Sequence, residues 1–120
     1  MTKTLVWLPA LSVAALVASL AALFVTWGAA AGAEEMPSAE RQAALAYLVR
    51  QDCGSCHGMT LKGGLGRPLL PEALAGAEAE ALAEVILDGI PGTPMPPWRG
   101  LISEAEALWI ARALKQGEIE

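Results

Sequence analysis

From Leu5 to Ala33 the chain has no charged residue, and after Glu34 its pattern changes abruptly. There, short stretches carry apolar residues every three or four positions, the spacing of one helix face. Ser38 can cap the first, which predicts a helix to about Asp52 with Leu45, Leu48 and Val49 on one side and Glu40, Arg41 and Arg50 elsewhere. Residues Ala79 to Asp88 predict a second helix, with Leu82, Val85 and Ile86 at core spacing and Gly89 as its stop. Ser103-Glu104-Ala105-Glu106 is a capping box. It opens a last helix to about Gln116, with Ala107, Leu108, Ala111 and Leu114 on one face and Gly117 at the end. The segments between are loops: "KGGLGRPLLP" from Lys62 is broken by Gly and Pro, and "GIPGTPMPP" from Gly89 is too rich in proline for helix or internal strand. No stretch alternates with the period of a strand, and no repeat is visible. The expected class is all-α, with three to four short helices.

The uncharged N-terminal run changes the domain count. Lys3 precedes it, Ala31-Gly32-Ala33 has the small residues of a cleavage site, and Glu34-Glu35 follow. This predicts a secretory signal peptide over residues 1–33, a linker over 34–37 and one domain over 38–120. The run is also long enough to span a bilayer, for which about 20 residues suffice. Trp7 and Trp27 stand near its ends, as in an aromatic belt, so an uncleaved anchor contacting the membrane only through residues 5–27 stays open. Either way the domain is expected outside the cytoplasm.

Charge narrows the partners. Residues 34–120 hold seven Lys/Arg and thirteen Asp/Glu, a net charge of −6. That argues against nucleic acid as a partner and suggests proteins with a basic docking patch. The same 87 residues would give only a marginal core by themselves.

Both cysteines and the single histidine fall in "CGSCH", Cys53 to His57. A structural zinc site needs four Cys/His ligands, and the chain has three. A thioredoxin-like dithiol sits among alternating strands and helices, which are not predicted. Covalent haem attachment accounts for all three residues: residues three apart share a helix face, so Cys53 and Cys56 can both form thioethers with one porphyrin edge. His57 then serves as proximal axial ligand of the iron. The expected cofactor is one haem c.

The far side of the iron needs a second ligand if the protein is an electron carrier; an open position would make it an enzyme or gas sensor instead. No second histidine exists. Of the methionines, Met1 lies before the apolar run, Met36 in the linker, and Met59 only two residues after His57, on the proximal side. Met95 lies 38 residues beyond His57, between Pro94 and Pro96, in a loop expected to be stiff and extended. Met95 is therefore the expected sixth ligand, its competing role being an apolar plug. Trp98 and Arg99 follow it and could reach a haem propionate.

"CGSCHG", "GGLG", "PEALAG", "ILDGIPGTPMPPW" and "ISEAEALWIARALK" together resemble the NirC-type cytochromes c, small monohaem proteins associated with the cytochrome cd nitrite reductase of denitrifying bacteria. The similarity covers about Gln51 to Lys115. It implies a class I cytochrome c fold wrapped around the haem and a periplasmic location. It also implies electron supply to the nitrite reductase, or a part in maturing its d-type haem beside a maturation factor. One departure stands out. Class I relatives often have Gly-Pro after the haem loop, with the proline carbonyl accepting the proximal histidine's Nδ1–H; here Gly66 is followed by Arg67 and then Pro68, and either carbonyl could serve.

Overall fold

The computed structural model describes residues 35–119, and the signal-peptide or anchor segment 1–33 lies outside them. The described fold belongs to the unit Glu34–Glu120. Its elements are α1 (Ala39–Leu48), a π-helical turn (Val49–Cys53), α2 (Gly54–His57), α3 (Pro71–Leu74), α4 (Ala79–Asp88) and α5 (Glu104–Gln116). Among the described residues there is no strand, and no helix is long and apolar enough to cross a membrane.

The Ser38 side chain accepts the Arg41 N–H and starts α1, as its position predicts. The helix does not stop at Asp52. It runs on through the π turn into α2 and ends at Gly58. The π turn inserts one residue, and the buried positions record it. Leu45 and Val49 lie four apart, but the next fully covered position is Gly54, five further on. An unbroken α-helix would have brought Cys53 to the core line. The inserted residue puts glycine there and leaves both thiols half-exposed.

α4 and α5 have the predicted bounds. The capping box at Ser103 is complete, and Gly117 closes α5 in the left-handed conformation. α4 packs chiefly along α5, with Ala83, Ala107 and Ala111 among the buried residues. The buried stripe of α4 differs from the expected one: Ala83 and Leu87 are covered, Leu82 and Ile86 are half-buried, and Val85 is exposed. Burial follows the face that fits against α5, and the other apolar residues flank it. On α5, Ala107, Ala111 and Leu114 are buried as expected, Leu108 is only half-buried, and Ile110 and Ala113 are buried as well. α1 also packs on α5, where Arg41 bridges to Glu106 and holds that carboxyl below its ordinary value. A depressed carboxylate stabilises the fold above its unfolded value and loses that contribution as pH falls through the folded one, so this tie weakens in acid. Replacing Ser103 by alanine should cost about 1 kcal/mol, measurable by urea unfolding.

Candidate haem-binding site

The attachment motif sits on one rigid helical turn. Cys53 is helical (φ −67°, ψ −39°) and Gly54–His57 continue it, so the two thiols lie one turn apart. Burial pushes the Cys53 thiol up to about 11, with the charge of Asp52 adding to the effect. Among the described residues, no three His, Cys, Asp or Glu side chains converge to hold a metal ion.

The loop after the motif folds back beneath it. The Gly63 N–H donates to the His57 carbonyl and the Gly66 N–H to the Cys56 carbonyl, each at 2.8 Å. Leu69 N–H reaches the Leu61 carbonyl at 2.8 Å, and the Leu61 side chain is fully buried beneath. This return path brings the Arg67 carbonyl to 2.6 Å from His57 Nδ1. Of the two carbonyls left open by the sequence, Arg67 is the partner. The bond makes Nδ1 the protonated nitrogen and leaves the Nε2 lone pair for a metal, with the ring held in one orientation.

Gly66 allows this approach. A Cβ there would stand 2.6 Å from His57 Nδ1 and Cε1. Gly66→Ala should therefore displace either the imidazole or the loop, costing about 1–3 kcal/mol as overpacking does. Its mark should be a changed haem absorption spectrum together with a lower melting temperature.

Met95 is half-buried, in a loop that is closed where an extended one was expected. Ile90 N–H donates to the Met95 carbonyl at 3.2 Å. The Thr93 hydroxyl donates to the Ile90 carbonyl at 2.7 Å and accepts the Met95 N–H at 3.3 Å. Prolines fix φ, but the turn is made by these bonds and by Gly89. At φ +67° a Cβ on Gly89 would stand 2.6 Å from the Met95 carbonyl oxygen. The other described methionines stand elsewhere: Met36 is 70% exposed in the linker. The Met59 sulfur lies over Gly54, 3.6 Å from where a Cβ there would stand.

Arg99 anchors the far end of the Met95 loop. Its N–H and that of Trp98 donate to the Leu87 carbonyl. Its guanidinium bonds Asp88 through both oxygens, at 2.8 and 3.1 Å, and also Glu104 and Glu84. Where the sequence left Arg99 between a propionate partner and a solvated charge, three carboxylates from α4 and α5 occupy its fork. Trp98 is half-buried against the core. Arg99 holds the Asp88 carboxyl below its ordinary value, so the clamp is intact at neutral pH and is lost as pH falls through that lowered value. Arg99→Ala should loosen the loop without unfolding the domain. The expected readout is faster exchange of the Ile90 and Thr93 amides, with α5 amides unchanged.

These features fit a haem c: two thiols on one helical turn, an adjacent imidazole with its Nε2 free and its ring pinned, and a thioether in a hydrogen-bonded loop. The sequence missed the π turn, the loop closure through Thr93 and the Arg99 clamp. No periodicity marks a one-residue insertion or an ion pair between distant elements.

Comparison with known proteins gives the same direction. The family described as cytochrome c oxidase, cbb3-type, subunit III matches residues 40–112. Cytochrome c55X of Paracoccus denitrificans (strain Pd 1222) is 58% identical over 84 residues, covering 70% of this chain and 82% of that protein. A solved structure of the c-type cytochrome NirC is 55% identical with a TM-score of 0.68, over 69% of this chain and 98% of that one. The structure of dihydro-heme d1 dehydrogenase NirN in complex with DHE is 40% identical with a TM-score of 0.54, over 58% of this chain but 15% of that larger one.

Proposed function

The chain belongs to the cytochrome c55X, or NirC-type, family of small c-type cytochromes, and from this premise we propose that it passes single electrons to the nitrite reductase system of a denitrifying cell. It carries one covalently attached haem c and is an electron carrier rather than an enzyme. In the proposed site Cys53 and Cys56 would hold the porphyrin by thioethers, and His57 and Met95 would be the protein ligands of its iron. The haem supplies a one-electron couple. The protein's residues fix its potential and its approach to partners: the Arg67 carbonyl polarises and orients His57, and the Met95 loop holds a neutral sulfur that favours ferrous iron.

The observation that carries this proposal is the His57–Arg67 bond of 2.6 Å, directly after the two thiols on the same helical turn. It prepares the imidazole as an axial ligand. The resemblance to NirC supports cytochrome cd nitrite reductase as the acceptor. The test is turnover of purified nitrite reductase with the reduced protein as sole electron donor. Nitrite-dependent reoxidation of the cytochrome, faster than without the reductase, is the expected result.

A second role, as an accessory protein in d-type haem maturation, is favoured by one specific observation. A segment of dihydro-heme d1 dehydrogenase of Pseudomonas aeruginosa is 40% identical to this chain over 86 residues, though the match covers only 16% of that protein. Failure to support nitrite turnover, with d-type haem deficient in a deletion strain, would favour that role. The proposed location is the periplasm, with cleavage after Ala33. N-terminal sequencing of the mature protein should begin at Glu34, whereas a full-length chain in the membrane fraction would establish the anchor.

A further inference from the structure

Among the described residues, Leu61 is the one residue other than glycine with a positive φ, +56°. That left-handed backbone strains any residue that has a Cβ, so glycine is its usual occupant. The same loop places glycine at two other positions of positive φ, Gly58 at +87° and Gly63 at +104°. The Leu61 side chain, by contrast, is fully buried and belongs to the core. Burying a whole leucine offsets the strain. The fold therefore holds this residue against its local preference, and by its side chain.

Backbone bonds tie Leu61 on both sides. Its N–H donates to the Gly58 carbonyl at 2.8 Å, closing the exposed turn of Met59 and Thr60. Its carbonyl accepts the Leu69 N–H at 2.8 Å, and Leu69 packs against the core. Leu61 and Leu69 thus form the neck of a closed lobe, residues 62–68. None of those seven residues is buried, so the lobe has no core anchor of its own. Yet it makes the contacts that matter to the attachment motif: Gly63 N–H on the His57 carbonyl, Gly66 N–H on the Cys56 carbonyl, and the Arg67 carbonyl 2.6 Å from His57 Nδ1.

We propose that Leu61 is a positioning residue for the proximal ligand: its buried side chain anchors the lobe whose Arg67 carbonyl orients and polarises His57, and through that bond it tunes the haem potential. The proposal rests on the reading of His57 as an axial ligand. The sign follows from the chemistry of the bond. A carbonyl on Nδ1–H makes the imidazole a stronger donor at Nε2, and ferric iron gains more from a strong donor than ferrous iron does. Truncating Leu61 frees the neck, the Arg67 carbonyl is held less firmly, and the potential rises. Loosening Met95 acts with the opposite sign, so the direction of the shift tells which side of the iron has been disturbed.

The test compares Leu61→Ala, Leu61→Gly and Leu61→Met with Leu114→Ala, a buried α5 residue outside the lobe. Three quantities are read on the haem-loaded protein: the reduction potential, deuterium exchange of the His57 Nδ1 proton in the ferrous form by NMR, and the melting temperature. Leu61→Ala and Leu61→Gly should each raise the potential by about threefold to tenfold in the one-electron equilibrium, the tenfold limit being about 59 mV. Exchange of the Nδ1 proton should quicken in both. Leu61→Met keeps the volume and should restore both signals. Leu114→Ala should lower the melting temperature and leave the potential and the exchange unchanged. Leu61→Gly should melt above Leu61→Ala, the reverse of the usual order, because glycine relieves the left-handed strain. Should Leu61→Ala fail to accumulate with haem, Leu69→Ala loosens the other side of the neck and is read by the same signals. Leu61 variants that melt early but keep the unmodified potential and exchange would make Leu61 a core residue and no more, which overturns the proposal. A potential that falls would assign the effect to Met95 and overturn it as well. Failure of the ligand reading looks different: His57→Gln would then leave the haem spectrum unchanged.

Discussion

A chain with both Cys53 and Cys56 replaced by alanine should carry no covalent haem at all. No other cysteine exists, so no thioether can form elsewhere. Haem staining after denaturing electrophoresis should be blank for the double variant and weak for each single variant, which keeps one bond. The consequence extends beyond the cofactor. Residues 34–120 give only a marginal core by themselves, and a covalent porphyrin adds a large apolar centre. The double variant should therefore lose much of its helical circular dichroism and accumulate poorly, whereas the α4–α5 pair should hold what structure persists. Covalent haem surviving in the double variant would refute the attachment site.

Replacing Met95 by alanine should turn the carrier into a ligand-binding haem protein. The loop that holds Met95 is closed by Ile90, Thr93 and Arg99 without help from the sulfur, so truncating the side chain should open the sixth position without unfolding the domain. The weak red absorption band expected of ferric iron bound to a thioether should vanish. Carbon monoxide should then bind the ferrous form readily. Losing the neutral sulfur removes its preference for ferrous iron. The potential should fall by tenths of a volt, a fraction of the ~0.8 V over which axial ligands set haem potentials. Met59→Ala is the control, because that sulfur lies over Gly54. If Met59→Ala gave these changes and Met95→Ala did not, the assignment would be wrong.

Much of this site was legible because its chemistry is local. Cys53, Cys56 and His57 are contiguous, and the capping box at Ser103 and the stop at Gly89 are short-range signals that survived folding unchanged. The short helix α3 was not predicted: the loop reading ended at Pro71, which serves equally as a break and as a first helical residue. The extent of the first helix was underestimated because the motif interrupts its apolar spacing. Val85 was assigned to the core from periodicity, but which side of an amphipathic helix is covered depends on the neighbour. Here α5 meets α4 along Ala83 and Leu87. Arg99 was drawn toward the cofactor by sequence proximity to Met95, when its partners stand on two other helices.

The π turn at Val49–Cys53 sets an angular phase, and this decides which length changes the chain tolerates at one place. Each residue of an α-helix advances the azimuth by about 100°. Deleting any one residue between Arg50 and Asp52 would remove the inserted position and let the segment relax to regular α geometry, with Gly54 four residues after Val49 and still on the core line. Adding one residue there would instead turn the motif by about that angle relative to Leu45 and the core, carrying Cys53 to the line now held by Gly54. Point substitutions on the exposed side of the same turn, such as Gln51→Ala, preserve the phase and should be nearly silent. An added residue, more than a changed one, is what this turn excludes.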